Sequence, residues 1–210
     1  MIAADQPTCF PSDLLVAVSS KNDGTMLNRI RGRHVAEIVN NRRRFCDQIG
    51  VNYDDVVYHV ISYDRAQTFD NIAEVTEADT VKHNNEGIFA DALYTEMAGV
   101  GLFLPVADCI ATVIYDPKRR ALMLVHLGRH STVAQLMSQA VQYFVERGSQ
   151  VKDLQIWMSP SITQKNYRMD YFDHTNDTNW RNFCRQTADG IYLDMQGFNR
   201  SLAVRSGVPA

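Results

Sequence analysis

Two apolar runs separated by a turn constrain this chain more than any other feature. Ile110 to Tyr115 is followed by Asp116-Pro117-Lys118-Arg119, and Ala121 to Val125 then leads into His126-Leu127-Gly128. Short runs of this composition joined by turn residues predict an antiparallel hairpin. With Pro117-Lys118 at the tip, Asp116 faces Arg119, and counting outward sets Cys109 opposite His126. Directly opposed side chains on one sheet face have Cβ atoms roughly 5 Å apart. That separation suits a thiolate–imidazole pair or two ligands of one metal. A four-residue loop would leave the two residues diagonal on one face, and a one-residue slip would send them to opposite faces.

The rest of the chain supplies more strands than helices. Strand-like stretches fall at Leu14 to Val18, Val56 to Tyr63, Ala90 to Thr95, Gly99 to Val106 and Leu154 to Met158. A helix is predicted from about Arg33 to Gln48, with Ile38, Phe45 and Cys46 on its apolar stripe and Gly50 as its stop. A second runs from about Thr132 to Arg147, where Val133, Leu136, Met137, Ala140, Val141 and Phe144 recur at helical spacing. A third spans Met195 to Arg205, residues 76–87 read as a loop, and residues 163–180 fit no single pattern. This order predicts an α+β fold with a mixed, largely antiparallel sheet.

Length and composition narrow the function. At 210 residues and 45% hydrophobic content, the chain is expected to form a single domain, 1–210, with a full core. A net charge of −3 gives no electrostatic bias toward nucleic acid or an anionic membrane. No apolar run approaches the ~20 residues of a membrane helix. The stretch Met1 to Pro7 lacks the basic region and apolar core of a signal peptide. Cys9, Cys46, Cys109 and Cys184 are scattered without a C-x-x-C spacing, which reads as reduced thiols and a cytoplasmic location.

The strand ending at His126 feeds Leu127-Gly128-Arg129-His130-Ser131 and then a helix. A helix start presents unpaired N–H groups and partial positive charge, which suits phosphate. Arg129, His130 and Ser131 are therefore candidate phosphate or substrate contacts, joined by Lys21 from the polar loop Ser19 to Gly24. Any strand–helix turn has this look, and what distinguishes this one is its place beside Cys109 and His126. His34, His83 and His174 lie in polar surroundings and read as surface residues, whereas His59 sits within a strand and reads as core.

These segments, in order, resemble the laccase-domain, YfiH-like family, once called polyphenol oxidases. Asn40 to Gly50 is similar to the family's E-N-R helix, and Ala90-Asp91-Ala92-Leu93-Tyr94-Thr95 to its D-A-L-V-T segment. Ala107-Asp108-Cys109-Ile110 resembles A-D-C-L, and Asp116-Pro117 with His126-Leu127-Gly128-Arg129 resembles D-P followed by H-A-G-W-R-G. Ser159-Pro160-Ser161-Ile162, with Asn166-Tyr167, resembles G-P-S-I and a following tyrosine. The resemblance implies a three-layer αβα-type fold and a mononuclear metal site, usually zinc rather than copper, built from two histidines and one cysteine. It assigns Cys109 and His126 to that site. It also implies phosphorolysis of purine nucleosides such as adenosine, inosine and methylthioadenosine, or deamination of adenosine.

The departures define the alternatives. Ser62 stands where the family places its first ligand histidine, and a neutral hydroxyl is a poor zinc ligand. Strand alternation would send His59, three residues earlier, to the opposite face. The Trp of H-A-G-W-R-G is replaced, and the family's C-terminal segment has no counterpart before Ala210. Three readings follow. The chain is a purine nucleoside phosphorylase or adenosine deaminase whose site is impaired or has lost its metal. Alternatively, it is a thiol hydrolase or amidase with Cys109 as nucleophile and His126 as base. Or it is an inactive relative that acts as a binding or partner subunit. The expected partners are a purine nucleoside and phosphate, with no nucleic acid or membrane, and a protein partner under the third reading.

Overall fold

In the computed structural model, residues 7–28, 30–64 and 66–209 are described. The N-terminal residues read for the absence of a signal peptide lie, except for Pro7, outside them. Among the described residues, no helix is long and apolar enough to cross a membrane.

The hairpin forms the centre of the molecule. Strands β6 (Ile110–Asp116) and β7 (Ala121–Leu127) pair antiparallel, flanked by β4 (Ala92–Thr95) and β8 (Gln155–Met158). Strand β2 (Ile72–Glu74) adds on in parallel beyond β4, which completes a five-stranded mixed sheet in the order β2-β4-β7-β6-β8. The register corrects the count made from a two-residue turn. Asp116 pairs with Ala121 and Ala111 with His126, so four residues, 117–120, form the loop. The reason is local. A two-residue hairpin turn needs positive φ at its first central position, which the proline ring of Pro117 forbids. Instead the Asp116 carboxylate accepts from the backbone N–H groups of Lys118 (2.9 Å) and Arg119 (3.2 Å), and Arg120 closes the loop at φ 56°.

Alternation along these strands divides the sheet into two faces. Ile110, Ile114, Met123, Val125 and Leu127 pack on α3 (Leu136–Glu146) and α4 (Met195–Arg205), through residues such as Phe144, Phe198 and Leu202. Each such side chain, fully buried, contributes about 1.5–3 kcal/mol. The opposite face carries Leu93, Leu124 and His126. It looks toward a second, smaller sheet in which β1 (Val56–Val60) pairs in parallel with β3 (Ile88–Phe89) and β5 (Gly101–Phe103). Val57 of β1 packs with Leu93 between the two sheets. Helix α1 (Ala36–Gln48) covers the far side, where Cys46 meets Tyr53 and Val56. The fold is thus α+β, with helices outside and a middle layer divided between two sheets.

Several boundaries differ from expectation. Leu14 to Val18 forms no strand and belongs to none of the three sheets, and Leu15 is 59% exposed. The helix read from 132 to 147 is two pieces, α2 (Arg129–Val133) and α3, broken where Gln135 adopts φ 58°. The third sheet was not anticipated. Strand β11 (Gly190–Leu193) lies between β9 (Arg168–Met169) and β10 (Cys184–Thr187). Met195 to Arg205 is helical as read, capped by Asp194, which accepts from the Gly197 N–H at 2.9 Å.

Candidate active site

The corrected register keeps Cys109 and His126 together. Cys109 precedes β6 by one residue and lies two positions before Ala111, the partner of His126, so the two are diagonal on one face. Asp108 adopts φ 70°, a left-handed conformation that Asp tolerates better than most residues, and its carbonyl accepts from the Ile162 N–H at 3.0 Å. A further clasp holds the strand start, where the Ala111 N–H donates to Ser159 Oγ at 2.9 Å. The His126 backbone N–H donates to the carbonyl of Asp91, also at 2.9 Å.

Gly128 shows how closely the pair converges. A Cβ placed on it would lie 3.1 Å from His126 Cε1, 3.4 Å from His126 Nε2 and 3.2 Å from Cys109 Sγ. The thiol and the Nε2 edge of the imidazole therefore face the same small volume, kept open by the absent side chain. Cys109 and His126 are among the residues that line a groove of about 1810 Å³ between the two sheets. Such a groove exceeds the ~300–1,000 Å³ of ordinary small-molecule pockets, so the corner is only part of it.

The turn after His126 is built by Ser131, which is buried. Its hydroxyl accepts from the Gly128 N–H at 2.9 Å and donates to the His126 carbonyl at 2.8 Å. The hydroxyl and the Gly128 donor are thus engaged within the turn. Arg129 and His130 follow on the outside. Burial and the nearby Arg129 charge lower the His130 pKa, and its ring stacks on Phe69 with centroids 4.5 Å apart and planes at 19°. Lys21, itself exposed, begins a 3₁₀ turn, Lys21–Asp23, whose Asp23 is buried and whose neighbours Ser19 and Ser20 line the long groove. Ser62 donates to Asp64 at 3.0 Å.

Three aromatic residues and one histidine complete the surroundings, and the sequence singled out none of them as a ligand or substrate contact. Tyr63 packs edge-on against His126, at 6.5 Å and 87°, and meets Phe69 at 6.2 Å. Tyr167 comes close enough to Arg129, Cys109, Tyr63 and Asp108 to feel their charges, and burial raises its pKa. The phrase Asn166-Tyr167 was the signal available in the sequence. His59 is 1% exposed, and its Nε2–H donates to the Ala90 carbonyl at 2.9 Å. A carbonyl only accepts, so the proton is on Nε2 and Nδ1 is a buried acceptor, with no hydrogen-bond partner. Burial, aided by neighbouring His126, pushes the His59 pKa down to about 3. His59 alternates with Val57 and so faces the layer that holds His126, while β1 ends at Val60, before alternation could reach Ser62. His34 pairs with Glu86 and His174 with Asp177 on the surface, as their polar surroundings implied. Cys46 is core, with its thiol pKa raised to about 11 by burial.

Among the described residues, no three His, Cys, Asp or Glu side chains gather in a group able to hold a metal ion. Zinc sites use three protein ligands when catalytic and four when structural, so the two donors at this corner fall short of either set.

Residues 19–210 match the family described as multi-copper polyphenol oxidoreductase laccase. Adenosine deaminase RL5, from an unknown prokaryotic organism, is 26% identical over 85% of this chain and 70% of its own length. Purine nucleoside phosphorylase YlmD of Bacillus subtilis strain 168 is 28% identical over 93% of this chain and 75% of its own. Among solved structures, the hypothetical protein YfiH of Bacillus licheniformis superposes with a TM-score of 0.73 at 27% identity, covering 85% of this chain and 70% of that one. YlmD of Geobacillus stearothermophilus gives 0.71 at 26% identity, with the same coverage.

Proposed function

The chain belongs to the multi-copper polyphenol oxidoreductase laccase family, and from that premise we propose that it binds purine nucleosides at the Cys109–His126 corner and cleaves them by phosphorolysis. The observation that carries this reading is the convergence of Cys109 Sγ and the Nε2 edge of His126 on the space above Gly128. The names of the relatives supply the substrate class, since they are a purine nucleoside phosphorylase and an adenosine deaminase.

The chemistry asked of the residues is modest. A phosphate oxygen attacks the ribose C1′, the bond from C1′ to the purine nitrogen breaks, and its electron pair leaves with the base. Arg129, beside the corner, offsets the phosphate charge. His126 hands a proton to the departing purine through Nε2 and regains one from solvent. Cys109 packs against the sugar from the other side of the same space. The family's metal would add Lewis-acid polarisation. The donor set here is two where three are needed, so no step is routed through it.

The test is a nucleoside screen with phosphate, using adenosine, inosine and methylthioadenosine, read by release of free base and, in parallel, of ammonia. Base release that depends on phosphate, falls in Cys109→Ala and is abolished in His126→Ala supports the reading. Ammonia without base would replace phosphorolysis with deamination. Neither product above the His126→Ala background, with adenosine still bound, would leave a binding subunit. Metal analysis of protein purified without chelator runs beside it, and about one zinc per chain would overturn the two-donor description.

A further inference from the structure

The mechanism above leaves Phe69 without a role, and its conformation calls for one. Its φ is 61°, in the left-handed region that a bulky aromatic residue rarely enters. Strain of this kind persists where surrounding structure imposes it, and it concentrates at ligand clamps and active sites. Phe69 lies in the irregular stretch between β1 and β2, with Tyr63 on the same stretch. One face of its ring lies flat on His130, at 4.5 Å and 19°. Tyr63 stands 6.2 Å away from the ring, tilted by 49° and 44% exposed. Tyr63 in turn abuts His126 edge-on. The two rings thus form a contacting aromatic pair, closed in this structure, whose Tyr63 member touches the imidazole of the proposed site.

We propose that Phe69 and Tyr63 form an aromatic clamp that takes the base of the substrate and sets the preference for purines over pyrimidines. The inference rests on the reading of the Cys109–His126 corner as a nucleoside site and deepens it. A flat base held between two rings needs contacts of about 3.5 Å on each side, or about 7 Å between ring planes. The two rings now meet with centroids 6.2 Å apart and planes tilted by 49°, so a base enters when Tyr63, an exposed ring outside any strand, swings away from Phe69 and turns parallel to it. His130, stacked behind Phe69, backs the ring and keeps it upright. A base in this clamp projects its sugar toward His126 and Cys109. Purines present two fused rings to the clamp where pyrimidines present one, so the larger stacking area selects them. Polar contacts to particular base edges are not required, which fits a site that accepts adenine and hypoxanthine alike.

The experiment measures dissociation constants for adenosine, inosine, uridine, free adenine and ribose 1-phosphate in the unaltered protein and in Phe69→Gly, Phe69→Trp and Tyr63→Ala. Glycine tolerates the backbone at this position, so Phe69→Gly removes the ring without adding strain. The melting temperature is recorded for each variant. The proposal expects Phe69→Gly to weaken adenosine and adenine by roughly tenfold or more, as loss of one stacking partner does. It expects ribose 1-phosphate to be unaffected, the margin over uridine to shrink, and Phe69→Trp to restore purine binding. Equal adenosine affinity in Phe69→Gly and the unaltered protein would overturn the clamp while leaving the nucleoside reading intact. Equal weakening of adenine and ribose 1-phosphate, or failure of Trp to restore binding, would also overturn it, because either marks a general disturbance of the site. No adenosine binding by the unaltered protein would overturn the clamp and the nucleoside reading together.

Discussion

Lowering the pH from 7 to 5 should cost this protein about 2 kcal/mol of stability through His59 alone. In the unfolded chain the imidazole has its ordinary pKa of 6.5, and in the folded protein burial and neighbouring His126 push it down to about 3. The unfolded state therefore takes up a proton below pH 6.5 that the folded state refuses until about pH 3. Folding stability falls as pH drops through that window, levels off below it, and is untouched by this group above about pH 7. At pH 5, one and a half units below the unfolded pKa, the penalty is about 2 kcal/mol, rising toward about 5 kcal/mol near pH 3. Against a total of about 5–15 kcal/mol for a domain, that is a large fraction. The assay is urea unfolding at pH 7 and pH 5 for the native sequence and for His59→Gln, whose amide can still donate to the Ala90 carbonyl. The burial-raised Asp91 titrates in both proteins, so its effect cancels in the difference. The native protein should lose about 2 kcal/mol more than His59→Gln between the two pH values. Identical losses would refute the depressed pKa, and with it the placement of His59 in the buried layer between the sheets.

Two further substitutions probe the turn that carries the site. Gly128 has φ −91°, so Gly128→Ala adds no backbone strain, yet its methyl would sit 3.1–3.4 Å from Cys109 Sγ and the His126 ring. It should fold with a melting temperature within a few degrees of the parent and lose at least tenfold in nucleoside cleavage, and full activity would show that the space above Gly128 is not used. Gln135, at φ 58° between α2 and α3, should gain about 0.5–1 kcal/mol on conversion to Gly, measured by denaturant unfolding. A loss there would mean that its side chain contributes more than its backbone costs.

The central hairpin shows how far sequence reading carries. Its two strands, their pairing with each other and the shared face of Cys109 and His126 were legible, because alternation and apolar content report burial directly. The register was open at the turn between a two-residue and a four-residue loop, and one residue decided for the longer one. Pro117 cannot adopt the positive φ of a two-residue turn, and Asp116 is placed to cap a four-residue one. A similar local event divided the helix of residues 132–147. The apolar periodicity runs through Gln135 without a break, since periodicity records which side chains are buried and is silent on a single left-handed backbone. The strands Cys184–Thr187 and Gly190–Leu193 escaped for the opposite reason. Four of the eight residues in them are polar or glycine, so they carry little of the pattern by which strands are read.

The site was legible where its residues are near in pairing and illegible where they are near only in space. Cys109 and His126 belong to one hairpin, so counting could join them. Tyr63, Phe69 and Tyr167 reach the same corner from loops separated by up to about a hundred residues of chain, a link no periodicity encodes. His59 was placed by extending strand alternation to Ser62, but the strand stops at Val60, and past that point alternation has no meaning. This error bears on chemistry as well as on geometry. With Ser62 held by Asp64 and His59 turned to the layer of His126, the corner keeps two strong donors and gains an aromatic wall. Such a wall suits recognition of a flat base better than coordination of an ion. The balance between recognition and cleavage then depends on whether Cys109 and His126 can act without a third donor, and the paired readout of base release and adenosine binding in Cys109→Ala measures that balance.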